Sequence, residues 1–92
     1  MAQIEVQATA TPGVYDVEVD DNGRTSRHQV TVPDDLAAAG LPEVEHEPLV
    51  RESFTFLLER EPASAILRAF ELPVIERYFP GYAEEMGRRL GG

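Results

Sequence analysis

The chain has no cysteine and no lysine, although it is 92 residues long. Without cysteine it can form no disulfide, no thiolate zinc site and no cysteine nucleophile, and we expect a cytoplasmic protein. Every basic residue is an arginine, a bias that indicates a GC-rich genome and no particular chemistry. Cysteine chemistry is therefore excluded as a basis for function.

Targeting and membrane-spanning signals are also missing. Gln3 and Glu5 stand where a signal peptide would have basic residues followed by an apolar run. Apolar runs elsewhere are short and are interrupted by charged residues. We therefore expect a soluble protein that does not associate with membranes.

Common catalytic motifs are absent as well. The sequence has no glycine-rich phosphate loop, no Gly-x-Ser-x-Gly elbow and no His-Glu-x-x-His helix. Ser53 and Ser64 have no histidine nearby in sequence. We assign no catalytic residue, cofactor or metal ligand and favour a protein that is not an enzyme. An active site assembled from scattered residues needs no local motif, so that alternative stays open.

Acidic residues outnumber basic residues by 17 to 8, which gives a formal net charge of -9 at pH 7. Residues 1–46 carry most of the excess, with nine acids and two arginines. A field of this sign repels phosphates, and no basic stripe with interleaved aromatics occurs, so nucleic-acid binding is disfavoured. The same field favours basic partners.

The length of the chain predicts a single domain, residues 1–92, and the hydrophobic fraction of 42% is ordinary for a globular protein. A domain of this size buries only about 60–65% of the surface that its unfolded chain exposes, so its stability is modest. A protein partner, or a second copy in a homodimer, would add materially to that stability.

The first third of the chain is predicted to form three antiparallel strands. Asn22-Gly23 fits a two-residue type I′ turn, because both central positions need positive φ. This turn pairs Asp21 with Arg24 and places Glu18 opposite Arg27 on the polar face. The apolar face then carries alternate residues of both strands, among them Tyr15, Val17, Val19, His28, Val30 and Val32.

The preceding turn, at Thr11-Pro12-Gly13, leaves two registers open. A tight turn pairs Ala8 with Val17 and Val6 with Val19. A bulged loop is equally compatible, because a Pro-Gly type II turn matches the twist of a hairpin poorly. The tight turn extends one apolar surface over three strands, and such a surface needs a cover.

The cover is expected from residues 33–92, where prolines separate four to five short helices and no further strand is predicted. The helix from about Glu47 to Arg60 is expected to be the core helix, since its apolar stripe is wide. Further helices are predicted to begin at Pro33, Pro62, Pro73 and Tyr82. A flexible connector is predicted near residues 40–47. The predicted architecture is α+β, with a three-stranded meander over residues 1–32 packed by one face against these helices.

A resemblance to a family of small hypothetical proteins from GC-rich bacteria is carried by residues 54–82, FTFLLEREPASAILRAFELPVIERYFPGY, and by TVPDDL at residues 31–36. It covers roughly the carboxy-terminal two thirds of the chain. The resemblance implies a free-standing small protein, and it implies no activity and transfers no site residue.

His28 is the sharpest single candidate, because the predicted register puts its titratable ring on the apolar face. Such a ring fits a general base or a ligand in a pocket between the sheet and the helices, with Tyr15 as its polar neighbour. The alternative is a histidine at the rim of the sheet that hydrogen-bonds to a neighbour. This ordinary interpretation is favoured.

Two further motifs each have an ordinary explanation. Glu45-His46-Glu47 concentrates side chains that bind metals, but adjacent positions point in different directions, so a solvated acidic loop is favoured. The aromatic run from Tyr78 to Tyr82 offers a docking patch, since such residues are enriched in interface cores. Core packing is favoured there, because a small domain has few large side chains.

These observations favour a small acidic protein-protein interaction or regulatory protein. The alternative is a small-molecule-binding protein or small enzyme with a pocket near His28. A third hypothesis is an acidic mimic of nucleic acid that occupies a basic protein site. The candidate ligand or partner site consists of His28, Tyr15, Arg27, Tyr78 and Tyr82.

Overall fold

A computed structural model, which describes residues 2–91, shows an α+β fold built on one mixed sheet. Its strands are ordered β1-β2-β3-β4 across the sheet. Three α-helices and two short 3-10 helices complete the described part of the chain. In chain order the elements are β1 (Gln3–Ala8), β2 (Val14–Asp21), β3 (Arg24–Thr31), a 3-10 helix (Ala37–Ala39), α1 (His46–Leu58), a 3-10 helix (Ala63–Ala65), β4 (Ala69–Glu71), α2 (Val74–Tyr78) and α3 (Tyr82–Leu90).

The hairpin of β2 and β3 has the predicted turn and register. Asn22 and Gly23 have φ values of 58° and 80°, as a type I′ turn requires. Asp21 lies opposite Arg24, and Glu18 lies opposite Arg27 across the two strands. Because side chains alternate along a strand, this register puts the valines of both strands on the inner face of the sheet.

β1 pairs with β2 two residues away from the register of a tight turn. Ala8 lies opposite Tyr15, and Val6 lies opposite Val17. The connection is a longer loop, closed by a hydrogen bond from the Thr9 amide to the Val14 carbonyl at 3.1 Å. The pairing that a tight turn predicts is therefore wrong. A shift of two residues leaves each side chain on its predicted face.

β4 corrects the prediction that no strand follows the first three. The segment after Pro62 was expected to be a helix, but it forms one 3-10 turn and then pairs parallel to β3, with Val30 opposite Phe70. The Gln29 amide donates to the Arg68 carbonyl at 2.7 Å, and the Leu72 amide donates to the Thr31 carbonyl at 2.9 Å. The three-stranded meander is therefore part of a four-stranded mixed sheet.

Helical segments lie near the predicted positions, but two of them are only 3-10 turns. α1 begins at His46 and ends at Leu58, close to the predicted core helix, and α3 begins at Tyr82 as expected. The helix predicted at Pro33 is only a 3-10 turn that ends at Gly40, whose φ is 77°. Within residues 2–91, the cover thus consists of three α-helices and two 3-10 turns. The flexibility of residues 40–47 stays a prediction.

The core lies between the inner face of the sheet and the helices. The buried hydrophobic side chains form one cluster, which includes Val17, Val19, Val30, Leu49, Val50, Phe54, Phe56, Leu57, Leu72, Tyr82 and Met86. Arg89 holds α3 against α1 through ion pairs with Glu52 at 2.9 Å and with Glu59 at 2.8 Å. The outer face of the sheet carries mainly polar side chains, as is usual for a sheet covered on one side.

Candidate functional site

His28 lies in the middle of β3 and is buried, with 4% of its surface exposed. Its Nε2 atom lies 2.9 Å from Ser26 Oγ, and its Nδ1 atom lies 2.8 Å from the Leu67 carbonyl oxygen. The carbonyl can only accept, so in the neutral ring Nδ1 carries the proton. Nε2 then accepts a hydrogen bond from the Ser26 hydroxyl. The ring also packs against Phe54, at a centroid distance of 5.4 Å.

Ser26 opens onto a cavity of about 590 Å³ at the tip of the hairpin. We name it the hairpin cavity. On one side it is lined by residues of the β2–β3 turn and the start of β3, and on the other by Pro62, Ala63 and Ser64. Arg24 is the one positively charged residue among the described lining residues, and Asp21 is the one negatively charged residue. Ser26 therefore connects the buried imidazole to an open cavity.

Tyr15 is not brought to His28. Its hydroxyl lies 2.9 Å from Nδ1 of His46, and the two rings meet edge to face with centroids 5.6 Å apart. His46 is the first residue of α1, so this contact ties the helix to β2. Among the described residues, no hydrogen bond or ring contact joins Tyr15 to His28. Tyr15 is therefore bonded to the first residue of α1, and His28 is bonded to the segment before β4.

Arg27 lies on the outer face of the sheet, where 82% of its side chain is exposed. It pairs with Glu18 at 3.1 Å, as predicted from the register. An exposed pair of this kind contributes little to stability. Both side chains line a depression of about 470 Å³ together with His28, Asp16 and Arg68. The structure therefore brings two of the candidate residues, Arg27 and His28, to one depression of mixed charge.

The two tyrosines of the aromatic run have opposite surroundings. Tyr82 is buried in the core, and its hydroxyl lies 2.6 Å from Ser53 Oγ. Burial raises the pKa of Tyr82 far above the usual value for tyrosine. Tyr78 is 64% exposed. Core packing is therefore the role of Tyr82, whereas Tyr78 remains available at the surface.

Tyr78 stands beside a groove of about 250 Å³ that we name the β4 groove. Its lining is mostly apolar and consists of Leu57, Glu61, Ala65, Ile66, Leu67, Phe70, Val74, Ile75, Tyr78 and Phe79. Leu67 is 47% exposed, and with Tyr78 it is one of the two large hydrophobic side chains exposed in residues 2–91. Both therefore belong to the same groove.

The Glu45-His46-Glu47 segment does not gather around a common point. His46 is bonded to Tyr15, and Glu47 pairs with Arg51 at 2.6 Å. Nowhere in the described chain do three or more His, Cys, Asp or Glu side chains form a group that could hold a metal ion. The segment is thus the start of α1.

Ser26 and Leu67 are the residues that the sequence analysis missed. A signal for Ser26 was present, because residues two apart on a strand point to the same face and Ser26 precedes His28 by two. No such signal existed for Leu67, since its exposure follows from the unpredicted strand β4. The 3-10 turn and β4 together turn its side chain to the groove.

Comparison with known proteins yields no match, whether to a family model, to a curated protein or to a solved structure. In the part of the chain that the structure describes, no helix combines the length and the apolar character needed to cross a membrane.

Proposed function

We propose that this protein is a small interaction module that binds a basic segment of another protein in the β4 groove. The observation that carries the proposal is that Leu67 and Tyr78, the exposed large hydrophobic side chains of the described chain, lie at one groove. Scattered exposed apolar residues are ordinary, but a contiguous apolar patch with a tyrosine at its rim is typical of a protein interface.

The size and lining of the β4 groove suit one large apolar side chain as the anchor of the partner. Its volume is about 250 Å³, and its floor includes the buried side chains of Leu57, Ile66 and Ile75. Such anchors in well-packed pockets provide most of the binding energy of many interfaces. Tyr78 adds an exposed aromatic ring at the rim of the groove.

Charge favours a basic partner over a second copy. The chain has a net charge of -9, so two copies repel one another, whereas a segment rich in lysine and arginine is attracted. Glu61 lines the β4 groove and offers a local partner for such a cation. The partner segment is therefore basic and carries one large apolar residue.

A displayed library of short peptides tests this proposal. The wild-type protein serves for selection, and a Leu67→Ser, Tyr78→Ser double variant serves for counter-selection. We expect enriched peptides with one large apolar residue flanked by lysine or arginine. Either single substitution to serine should weaken binding of a purified peptide at least about tenfold, because an anchor contact is lost.

The matched control is Tyr78→Phe, which keeps the ring and should bind within about threefold of the wild type. Peptides that bind the double variant equally well would contradict the proposal, as would a failure to enrich any peptide. A dimer seen by sedimentation at high salt, and lost in Leu67→Ser, would contradict it as well, because it would make the occupant a second copy.

A further inference from the structure

Beyond the interaction groove, we propose that Ser26 is a nucleophile activated by His28 and that it cleaves small carboxylic esters bound in the hairpin cavity. The lining of this cavity shares no residue with that of the β4 groove. The proposal rests on the hydrogen bond between Ser26 and His28 at the wall of an open cavity.

The hydrogen bonds around His28 run in the direction that activates a serine. The Ser26 hydroxyl donates to Nε2, and Nδ1–H donates to the Leu67 carbonyl. An acceptor on Nδ1 fixes the tautomer in which Nε2 is free to take a proton, which is the role of the third member of a catalytic triad. A backbone carbonyl performs that role here.

The imidazole is held rigidly in this geometry. It is buried, and it packs against Phe54 of α1. β3, which carries both Ser26 and His28, is paired with β2 along its whole length, and β4 pairs with it directly after His28, at residues 29–31. The two side chains are therefore positioned by a paired strand, so little ordering is needed before reaction.

The hairpin cavity gives a small ester access to Ser26 and contains the positive charge of Arg24. Ser26 is half-buried and lines the cavity, whose volume of about 590 Å³ admits a small ester. Arg24 lies two residues before Ser26 on the same face of β3 and lines the same cavity. Within residues 2–91, Arg24 takes part in no ion pair. Its charge is available to stabilise the negative oxygen that develops during attack.

The reaction needs no reagent other than the ester and water. Ser26 Oγ attacks the carbonyl carbon while its proton passes to Nε2 of His28. The bond from that carbon to the leaving alcohol oxygen breaks, and His28 gives the proton to this oxygen, which leaves an acyl group on Ser26. Water then attacks the acyl carbon and gives a proton to His28. The acid departs, and His28 returns the proton to Ser26.

A fluorophosphonate probe, which reacts with activated serines, tests the proposal on the full chain. Intact mass and peptide mapping should show one adduct, on Ser26. Labelling of Ser26 should be faster than that of an ordinary serine hydroxyl, because His28 takes the proton as Oγ attacks. Ser64, in the same cavity but without a bonded histidine, should stay unlabelled.

Variants distinguish activation of Ser26 by His28 from simple access of the probe to Ser26. Ser26→Ala should abolish labelling and hydrolysis of p-nitrophenyl acetate. His28→Gln keeps a donor for the Leu67 carbonyl but has no base, so it should slow labelling of Ser26 by about 100-fold or more. Gln29→Ala changes the residue after His28, which points to the opposite face, and should leave the rate unchanged.

Three outcomes would overturn the proposal. One is the absence of an adduct on Ser26 in the folded wild-type protein. Another is labelling of Ser26 and Ser64 at equal rates. The last is an unchanged rate of Ser26 labelling in folded His28→Gln. The first and second require only the wild-type chain, so they decide the matter even if His28→Gln does not fold.

Discussion

Tyr82 and Ser53 form a buried hydroxyl pair between α3 and α1. Ser53 donates to the Leu49 carbonyl at 2.7 Å, so its oxygen accepts from Tyr82 at 2.6 Å. A phenolate at this position would face apolar surroundings, which is why burial raises the pKa of Tyr82. The pair satisfies two hydroxyls that would otherwise be costly to bury.

Removing the Tyr82 hydroxyl should reduce stability by a modest amount. Tyr82→Phe keeps the ring in the core but removes the donor to Ser53, so we expect the free energy of unfolding to fall by about 1 kcal/mol. Urea denaturation followed by circular dichroism measures this change. Tyr78→Phe, at an exposed ring, should stay within about 0.5 kcal/mol of the wild type. Equal losses in both variants would contradict the assignment.

The candidate sites could be predicted from the sequence only where a contact depends on local geometry. The placement of His28 on the inner face and the Glu18–Arg27 pair both follow from one turn, whose residues are adjacent. The Tyr15–His46 contact joins residues 31 positions apart and depends on where α1 begins. The Leu67 carbonyl reaches His28 from 39 positions away. No local pattern specifies such contacts.

At the scale of elements, β4 shows how tertiary pairing overrides a helical pattern. The apolar residues Ile66, Leu67 and Phe70 have helical spacing, which supported the prediction of a helix. The free edge of β3 offers unpaired amides and carbonyls, however, and a short extended segment satisfies them. Turn residues signalled the hairpin, and proline signalled α2, but nothing in the sequence signalled a parallel pairing across so many residues.

Hydrogen exchange should distinguish the strand from a helix. Leu72 donates to β3, and by the alternation of a parallel ladder so does Phe70, whereas the amides of Ala69 and Glu71 point away. We therefore expect slow exchange at Phe70 and Leu72 and fast exchange at Ala69 and Glu71, measured by NMR. Uniform protection over residues 69–72 would be evidence for a helix and against β4.

Across the molecule, hydrogen bonds stabilise several carboxylates in their charged form. Arg89 lowers the pKa of Glu59 and, with Arg88, that of Glu85. The backbone amides of Ala83 and Gly81 lower the pKa of Glu76, because its carboxylate accepts both bonds at the start of α3. The folded state therefore favours these groups in their charged form.

Stability should consequently be lost in acid. A carboxyl whose folded pKa lies below its unfolded value contributes stability that is present above the unfolded pKa, near 4.3, and is lost as pH falls through the folded pKa. We expect a melting temperature that is level near neutral pH and declines below about pH 4.5. Calorimetry across this range should show a shallower decline in Glu76→Gln. Glu43→Gln, at an exposed loop position, should follow the wild type.

The fourth strand also sets an order of events during translation. Residues 24–31 leave the ribosome well before residues 69–71. Until the final third of the chain is synthesised, the edge of β3 that later pairs with β4 is therefore unpaired. A gene fragment that stops before Ala69 should therefore give insoluble protein, because other chains can pair with the exposed edge of β3. The sheet is therefore protected from aggregation through this edge only after β4 has been synthesised and has paired with β3.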